Sequence, residues 1–488
     1  MRRCKQTQSR IKSRVECGTL FRDSAAGFKI LVKGRFMNRR SFLKVTGLGA
    51  VSLAWPAHLL TAQEQKDRIL DEVDTRIEKH RMGSAALRFL GPDGKSLQSG
   101  LAVRIEQKRH KFLFGCNIFK LNRCRTADDN AAYAERFSGL LNFATLPFYW
   151  WNYERRQGKP DDARTEEIIR WCKAHNITTK GHPLAWNYAQ PPWLPKDPDS
   201  AMQLQFKRIE RCVQRFKNKV EIWDVVNEAT HYDRPGCKER APILTEAIGK
   251  MGIGAYVRGS FKSARKANPK ATLLINDYRT DPSYAEKVIS ELVDDSGQPL
   301  YDVVGIQSHM HGGYWGVQRA WEVCERFAKF GKPLHFTETT LVSGEQGWEL
   351  QQKRKDPNFR WVSTSEGEKR QAEQVAEFYR TLFSHPAVEA ITWWDFTDQN
   401  AWQRAPAGLV RDDMSPKPAY NELERLIKGK WWTQAETTIA AGAQARFSGF
   451  LGQYEVAVRI DGRKLTGTFR LDKTAKQTID VRLKRGEL

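Results

Sequence analysis

Hydrophobic and polar residues follow different spacings along the chain, and each spacing predicts a different kind of structure. Between residues 112 and 430, short continuous apolar runs alternate with stretches of helical period. Continuous apolar runs are typical of strands that are buried on both faces. The predicted strands are Phe112–Asn117, Phe143–Tyr149, Thr178–Leu184, Val220–Glu228, Thr272–Asp277, Val303–His309, Leu334–Glu338 and Ala390–Asp395. The predicted helices between them include Arg164–Ala174, Gln203–Phe216, Tyr256–Ala267, Tyr284–Val293 and Glu366–Phe383.

This alternation of buried strands and amphipathic helices predicts an α/β fold. Eight such units follow one another within roughly 320 residues, which is the repeat expected of a closed (β/α)8 TIM barrel. We therefore assign residues 111–430 to one barrel. In this fold the functional site forms at the carboxyl ends of the strands.

The residues on either side of the barrel alternate between apolar and polar, as half-buried strands do. Residues 63–110 contain a charged helical stretch and then two alternating runs around Pro92-Asp-Gly-Lys, which predict a β-hairpin at 84–110. Residues 431–488 carry three alternating runs separated by turn residues. About 55 residues form a marginal core alone. We therefore predict that the two extensions pack together as one accessory all-β module.

The first 62 residues are predicted to be a leader. Residues 1–36 are basic and show no clear structural period. Met37 is followed by Arg39-Arg40-Ser-Phe-Leu-Lys44 and by an apolar run that reaches small residues near Ala57 and Ala62. This order resembles a twin-arginine export signal, which implies a periplasmic or extracellular location and Met37 as the true start. The apolar run is shorter than the roughly 20 residues that span a bilayer, so no stable membrane anchor is expected.

Charge and cysteine content narrow the function classes. Of the formal net charge of +23, residues 1–44 contribute +11, with 13 Lys and Arg against 2 Asp and Glu, and the rest contributes +12. The remaining basic residues follow no nucleic-acid-binding motif, so nucleic acid is not a predicted partner. The eight cysteines form no CxxC pair and show no histidine at zinc spacing, so no structural metal site is expected. Six of them lie beyond the leader, and their pairing stays open.

Two glutamates end predicted strands in the same way. One apolar run stops at Asn227 and Glu228, and a second, Leu334-His-Phe-Thr, stops at Glu338. An isolated glutamate at a barrel mouth would ordinarily pair with an arginine or a lysine. Two glutamates at matched strand ends instead predict an acid/base and nucleophile pair, as in retaining glycosidases, whose two carboxyl groups lie about 5–5.5 Å apart.

Several further strings follow in order along the chain. They are Gly181-His182-Pro-Leu-Ala-Trp186, Ile275-Asn-Asp-Tyr278, Gly305-Ile-Gln307-Ser-His309 and Ile391-Thr-Trp-Trp394-Asp-Phe-Thr-Asp398-Gln-Asn-Ala-Trp402. With the two glutamate strings they resemble the family 10 glycoside hydrolases, the β-xylanase family, over residues 112–430. The resemblance implies a barrel whose acid/base glutamate ends the fourth strand and whose nucleophile ends the seventh.

The resemblance also implies roles for individual residues. Glu228 is the expected acid/base, and Glu338 is the expected nucleophile, oriented by His309. Asn227 is expected to hydrogen-bond the 2-hydroxyl of the sugar, a contact that strengthens as the ring flattens. The other expected substrate-binding residues are His182, Trp186, Gln307, Trp394, Trp402 and Tyr149. The two-carboxylate mechanism implies no organic cofactor and no catalytic metal.

The histidine and the tryptophans also have a simpler interpretation. An isolated His182 would be a core histidine bonded to a carbonyl group, and Trp394 and Trp402 would be ordinary core aromatics. Their positions at strand ends favour contact with a sugar, because aromatic ring faces suit the C–H faces of pyranoses.

The chain departs from the pattern of the family at three places. The loop after the second strand usually reads Glu-Asn-x-Met-Lys-Trp and binds the glycone sugar, but Thr145, Leu146 and Tyr149 occupy its Glu, Asn and Lys positions here. Asn187 follows the tryptophan of the Leu-x-Trp-His string, and Thr340 replaces an aspartate two residues after the nucleophile. These changes spare the reacting carboxyls and predict altered recognition of the glycone sugar.

The sequence thus predicts an exported retaining glycoside hydrolase that cleaves β-1,4 bonds of xylan or a related hemicellulose by double displacement, with the polysaccharide as its partner. Two alternatives stay open. A non-catalytic or catalytically decayed carbohydrate-binding barrel would account for the lost glycone contacts, but decay would not ordinarily spare both glutamates. An anionic-polysaccharide binder or lyase would account for the residual charge of +12.

Overall fold

The computed structural model of the chain describes residues 62–354, 356–473 and 478–485. The predicted leader and export signal, assigned to residues 1–62, lie outside the described residues apart from Ala62. The strands are β1 Met82–Leu90, β2 Ala102–His110, β3 Leu113–Asn117, β4 Phe143–Pro147, β5 Thr178–His182, β6 Ile222–Asn227, β7 Thr272–Asp277, β8 Val303–Met310, β9 Leu334–Leu341, β10 Val388–Trp393, β11 Gln434–Thr438, β12 Gln444–Phe450, β13 Gly452–Ile460, β14 Arg463–Leu471, β15 Thr478–Arg482 and β16 Lys484–Arg485.

The α-helices are α1 Ala62–Asp71, α2 Val73–Arg81, α3 Ala127–Leu140, α4 Trp150–Tyr153, α5 Asp162–Ala174, α6 Pro198–Arg215, α7 Pro235–Arg240, α8 Pro242–Met251, α9 Ile253–Ala267, α10 Pro282–Tyr284, α11 Gly316–Ala328, α12 Trp348–Lys353, α13 Ser365–Ser384 and α14 Pro418–Glu424. Short 3-10 turns cover Ala229–His231 and Trp402–Arg404, and π-helical turns cover Ala285–Ile289 and Arg425–Lys430.

Eight parallel strands close into a barrel. They follow the order β10-β3-β4-β5-β6-β7-β8-β9, and β10 pairs with β3 to complete the ring. The strands are buried on both faces, as their continuous apolar sequences require. The helices pack around them, and together the strands and helices bury one large apolar core. This confirms the predicted (β/α)8 barrel with an all-β addition.

A close contact between β5 and β6 sets the geometry at the carboxyl ends of these two strands. Gly181 on β5 faces the indole of Trp223 on β6, and a Cβ on Gly181 would lie 2.2 Å from Trp223 Cζ3. Only glycine fits there, because real Cβ atoms keep more than 3 Å from such neighbours. The close approach brings the end of β5, with His182, against the end of β6.

The two extensions form two sheets with a core of their own. In the first sheet β1 lies between β12 and β15, and in the second the order is β11-β2-β13-β14-β16. Each amino-terminal strand therefore pairs with strands from the carboxyl-terminal extension. Apolar side chains from both sheets meet in one cluster that is separate from the barrel core and includes Leu87, Phe89, Val103 and Ile105.

The predicted hairpin at 84–110 is wrong. The chain does turn back after β1, where Leu97 donates its amide to the carbonyl of Phe89, but β1 and β2 then enter different sheets and do not pair. The physical reason is burial: as a hairpin, the two strands would have one covered face at most. Placed on opposite sheets, the apolar faces of β1 and β2 contact each other across the second core.

The structure also shows the state of the cysteines and the character of the helices. The six cysteines beyond the leader are all unpaired in the described structure. Five of them are buried, which suits the small apolar side chain of cysteine. Within the described residues, no helix is both long enough and apolar enough to cross a membrane.

Candidate active site

A cleft of about 1060 Å³ opens at the carboxyl ends of the barrel strands. Nine of the ten predicted site residues line it, namely Tyr149, His182, Trp186, Glu228, Gln307, His309, Glu338, Trp394 and Trp402. The tenth, Asn227, lies buried behind Glu228 and contacts the cleft residues from below. The fold therefore brings together side chains from β4, β5, β6, β8, β9 and β10 and the loops that follow them, which are far apart in the sequence.

Glu338 is held by three neighbours in the wall of the cleft. Asn276 Nδ2 donates to its Oε1 at 2.9 Å, and His309 Nε2 lies 3.1 Å from its Oε2. His182 Nε2 lies 3.7 Å from Oε1. Burial raises the pKa of Glu338, but His182, His309 and Lys180 outweigh burial and hold it below its ordinary value. Glu338 is therefore arranged as an ionised carboxylate.

Glu228 adopts an unusual backbone conformation at the end of β6. Its φ of 57° and ψ of 40° fall in the left-handed region, which a non-glycine residue adopts at a cost in free energy. Its amide donates to the carbonyl of Asn276 at 2.9 Å, and this bond helps to hold the residue in place. The conformation turns the side chain of Glu228 into the cleft rather than along the strand.

Both carboxyl oxygens of Glu228 accept hydrogen bonds. Gln307 Nε2 donates to Oε1 at 3.2 Å, and Arg234 Nη2 donates to Oε2 at 2.5 Å. Burial lowers the pKa of Arg234, but the contact with Glu228 outweighs burial and raises it, so the arginine stays charged. The pairing with arginine that a lone glutamate would make is thus present here.

A chain of amides connects the two glutamates. Asn276 Nδ2 donates both to Glu338 Oε1 and to Asn227 Oδ1, each at 2.9 Å. Gln307 Nε2 donates both to Asn227 Oδ1 at 3.1 Å and to Glu228 Oε1 at 3.2 Å. Thr337 fixes Asn276 from behind by donating to its Oδ1 at 2.6 Å. The side-chain oxygen of Asn227 therefore accepts hydrogen bonds from Asn276 on β7 and from Gln307 on β8 and connects these two residues.

Beneath the cleft lies a buried group of charges. Lys180 Nζ and His182 Nδ1 each lie 2.7 Å from the same oxygen of Asp224. Burial raises the pKa of Asp224, but Lys180 and His182 outweigh it and lower it, so the carboxylate is ionised. An ionised Asp224 accepts the Nδ1–H of His182, which leaves the Nε2 of His182 directed toward Glu338.

Aromatic rings form the walls of the cleft. Trp186 stacks on Tyr188 with ring centroids 4.6 Å apart, and Trp394 packs edge-on against His182 at 5.4 Å. Trp402 lies 4.6 Å from His309 and remains 41% exposed, and Trp348 at the rim is 63% exposed. Exposed indole faces at a cleft rim provide stacking surfaces for flat ligands such as sugar rings.

The three departures have different structural consequences. Tyr149 lines the cleft and packs edge-on against His182 at 5.6 Å, whereas Thr145 and Leu146 are fully buried and do not reach the cleft. Asn187 is buried and donates to the Tyr232 carbonyl at 2.7 Å, which is a structural role. Thr340 Oγ1 lies 2.9 Å from Nδ1 of His309, the ring nitrogen opposite the one that contacts Glu338.

Sequence reasoning missed several residues that the structure places in or under the site. Asn276 lies in the string Ile275-Asn-Asp-Tyr278, but the sequence alone indicated no function for its side chain. Asp224 carried a signal, since a carboxylate inside an apolar strand needs a buried partner. Arg234 lies in a loop and Trp348 begins the short helix α12, and neither carried such a signal. Among the described residues, no group of three or more His, Cys, Asp or Glu side chains is arranged to hold a metal ion.

Comparisons with known proteins agree with this architecture. Endo-1,4-beta-xylanase 2 of Arabidopsis thaliana is 26% identical over 416 residues, which is 82% of this chain and 34% of that protein. Anti-sigma-I factor RsgI6 of Acetivibrio thermocellus is 24% identical over 413 residues, which is 83% of this chain and 48% of that protein. The chain thus spans half or less of the length of these two relatives.

The solved structures and a family profile address the fold and the family. The crystal structure of xylanase 10B from Thermotoga petrophila RKU-1 in complex with xylobiose aligns with a TM-score of 0.53 and 23% identity over 66% of this chain and 95% of that chain. A likeness at this identity shows the barrel fold. The profile described as Glycosyl hydrolase family 10 matches residues 114–425, which is well over half of the chain. The chain therefore belongs to glycosyl hydrolase family 10.

Proposed function

We propose that this protein hydrolyses β-1,4-glycosidic bonds of xylan or a related hemicellulose with retention of configuration. The observation that carries the proposal is the pair Glu228 and Glu338. They project from the carboxyl ends of β6 and β9 into one aromatic cleft and are connected through Asn276, Asn227 and Gln307. Family membership and the relatives named as endo-1,4-beta-xylanases support the choice of substrate.

In the first step Glu338 attacks the anomeric carbon and forms a covalent bond to the sugar. At the same time the bond to the leaving oxygen breaks, and Glu228 donates its proton to that oxygen. In the second step Glu228 takes a proton from water, the water oxygen attacks the anomeric carbon, and the bond to Glu338 breaks. Two inversions give net retention, and the enzyme returns to its starting protonation.

The neighbouring residues support the ionised state that the nucleophile requires. His182, His309 and Lys180 keep Glu338 ionised, as a nucleophile has to be. His182 is itself held by Asp224, so its ring orientation is fixed before substrate binds. Trp186, Trp394 and Trp402 supply ring faces along the cleft for the pyranose units. Arg234 leaves Glu228 when the sugar chain enters.

A carbohydrate-binding barrel without catalysis is the second candidate. Two observations favour it: Tyr149 replaces a polar glycone contact, and Glu228 is paired with Arg234 in the structure. A protein of this kind would bind xylan but release no reducing ends. The retained contacts of Glu338 with His309, His182 and Asn276 favour the enzyme.

We also propose that the protein is exported through a twin-arginine-type signal and that residues 1–36 precede its true start. The support is the sequence from Met37 through Arg39 and Arg40 to the apolar run. Sequencing the amino terminus of the secreted protein tests this proposal. A mature terminus near residues 57–62 is expected, and an intact Met1 on secreted material would contradict it.

The experiment that tests the main proposal measures reducing-end release from a panel of hemicelluloses and aryl β-glycosides, and follows the anomer formed first by NMR. The β-anomer is expected to appear first, because retention converts a β-linkage into a β-product. The matched control is Glu338→Ala, which should bind xylan, remain folded and release no product. Partial rescue of Glu338→Ala by azide, giving an α-glycosyl azide, would identify the nucleophile. Binding of xylan by the wild type without product release would support the non-catalytic barrel.

A further inference from the structure

A second cavity of about 490 Å³ lies at the opposite end of the barrel from the cleft. It is bordered by residues at the amino ends of β3, β5 and β6, by the end of α2, and by the strands β2 and β14 of the second core. It shares no lining residue with the cleft. None of the residues in the proposed hydrolytic mechanism lines this second cavity.

The lining of this cavity is strongly basic. Among the residues that the structure describes, five cationic side chains border it, namely Arg81, Arg109, Lys111, Arg470 and Lys473, against the one carboxylate of Glu389. Asp472 lies 3.2 Å from Lys111 and 2.9 Å from Arg470. When Asp472 is counted with Glu389, five positive charges face two negative charges, which leaves an excess of +3. His80 adds a further group that can become cationic.

In the described part of the chain, Arg81 and Arg109 donate their hydrogen bonds to neutral oxygens, although Glu389 attracts Arg81 electrostatically. Arg81 donates to the carbonyls of Phe383 and Val388 at 2.6 and 2.7 Å, and burial lowers its pKa to about 10. Arg109 donates to neutral oxygens of Thr178 and Asn142, and its buried Nε has no hydrogen-bond partner in the described structure. Burial and the nearby Arg470 lower the pKa of Arg109. Such a group is costly unless something accepts its remaining proton.

The cations come from three different parts of the fold. Arg81 ends α2, Arg109 lies on β2, and Arg470 and Lys473 lie at the end of β14. Their mutual repulsion acts across the contact between the barrel and the sheets. An anion between them would replace this repulsion with attraction.

We propose that this cavity is a binding site for a doubly charged oxyanion group, such as a phosphate or a sulfate, either free or as an ester. Guanidinium groups attract tetrahedral oxyanions through their charge and N–H donors, and three of them, Arg81, Arg109 and Arg470, border the cavity. The excess of three positive charges favours a group with two negative charges over a single carboxylate. The bound anion would tie the barrel to the second core and stabilise both.

The test is calorimetric titration of the full chain with inorganic phosphate, inorganic sulfate, glucose 6-phosphate and acetate, with sodium chloride at matched ionic strength as the blank. Thermal unfolding is followed in parallel. Sulfate and phosphate also stabilise proteins through exclusion from the surface, so titrations stay below about 10 mM and variants separate the two effects. The double variant Arg470→Gln/Lys473→Gln removes exposed members of the cluster. The matched control is Arg459→Gln, an exposed arginine on β13 outside the cavity.

Saturable heat with a doubly charged anion is expected, together with a rise in Tm of about 3 °C near saturation. Acetate should give neither effect. The double variant should weaken binding by at least about tenfold, while Arg459→Gln should bind as the wild type does. Tighter binding of glucose 6-phosphate than of inorganic phosphate would identify an esterified ligand, and the reverse would identify a free anion.

Absence of saturable heat with all three doubly charged probes would overturn the proposal. Equal Tm shifts in the wild type and the double variant would overturn it as well, since they would show surface exclusion alone. Should the double variant fail to fold, Arg109→Gln provides a second test, because it removes one positive charge from the wall of the cavity and leaves Arg470 and Lys473 in place. Hydrolysis of glycosides by the same samples is a separate readout, so the anion site and the proposed glycosidase activity stand or fall independently.

Discussion

The imidazole of His309 bridges Glu338 and Thr340: its Nε2 lies 3.1 Å from Glu338 Oε2, and its Nδ1 lies 2.9 Å from Thr340 Oγ1. Through this contact the histidine helps to keep Glu338 ionised against the effect of burial. As the proposed nucleophile, Glu338 attacks only when it is ionised, so this contact is expected to set the acidic limit of activity.

We expect His309→Asn to move the acidic limb of the kcat/KM profile to higher pH. The sign follows from the contacts: His309 lowers the pKa of Glu338, so its removal lets the pKa rise, and the carboxylate becomes protonated at a higher pH. A hydrogen bond to a charged group is worth about 1.5–3 kcal/mol, so the limb should move by about one to two pH units. Thr340→Val is the control, because it leaves the His309–Glu338 contact in place and should shift the limb less. An unchanged limb in His309→Asn would contradict the assignment.

Glu228→Ala should affect poor and good leaving groups differently. An acid is needed to expel a sugar alkoxide but not a dinitrophenolate, which departs without protonation. We expect a loss of about 10²–10⁴-fold on xylan and a much smaller loss on the formation of the glycosyl-enzyme from a dinitrophenyl glycoside. Glu246→Ala, an exposed glutamate on α8, is the matched control and should leave both rates unchanged. Equal losses on the two substrates would remove Glu228 from the acid role.

The residues at the glycone-binding positions are expected to alter the choice of substrate. Tyr149 stands in the cleft where the family has a lysine, and Thr145 and Leu146 are buried away from it. Each lost hydrogen bond to a sugar hydroxyl weakens binding by about 0.5–1.5 kcal/mol, so two or three lost contacts reduce recognition by a factor on the order of a hundred. We expect weak activity on linear xylan and better activity on a decorated or different β-linked glycan. A kcat/KM of about 10⁶ M⁻¹s⁻¹ on linear xylan would show that the substitutions have no effect.

Asp395, which lines the cleft, gives a prediction about stability and pH. Burial raises its pKa to about 6 from an ordinary value of 3.8, and one of its oxygens is buried without a partner in the described structure. The folded state therefore binds the proton more tightly than the unfolded state, and stability is lost as the pH rises from about 4 through 6. Asparagine does not titrate. We expect the difference in Tm between Asp395→Asn and the wild type to grow by a few °C across this window.

The control for Asp395→Asn is Asp295→Asn, whose side chain is fully exposed. Its Tm should follow that of the wild type at every pH. A constant difference in Tm between Asp395→Asn and the wild type from low to neutral pH would show that burial does not raise the pKa of Asp395.

Removal of residues 434–488 tests the proposed division of the chain into a barrel and one β module built from both extensions. The deletion strips both neighbours from β1 and from β2, and it uncovers Leu87, Phe89, Val103 and Ile105. Each of these side chains loses about 1.5–3 kcal/mol of burial, and unpaired strand edges promote aggregation. We expect insoluble protein or a clear fall in Tm. Deletion of residues 1–110 together with 434–488 is the control, since it removes all the strands of the module.

A soluble deletion of 434–488 with an unchanged Tm would show that the two extensions do not depend on each other. The double deletion would then be no more soluble than the single one.

The sequence by itself determined the barrel, its strand order and the positions of the two glutamates. Continuous apolar runs indicate strands that are buried on both faces. A polar residue at the carboxyl end of such a strand lies at the end of the barrel where the functional cleft forms. That is why Glu228 and Glu338 were predicted to face the cleft from the sequence, whereas the resemblance to family 10 implied the roles expected of Gln307 and His309. The alternating runs likewise predicted strands in both extensions.

Tertiary structure alone decided how those strands pair and what each glutamate contacts. Alternation predicts a strand but not its partner, so β1 and β2 were taken for a hairpin although they belong to opposite sheets. Arg234 reaches Glu228 from a loop, and Arg81, Arg109 and Arg470 meet from segments separated by up to several hundred residues. Such contacts depend on distances in space, and the charge state and pairing of a buried group follow from those distances rather than from its neighbours along the chain.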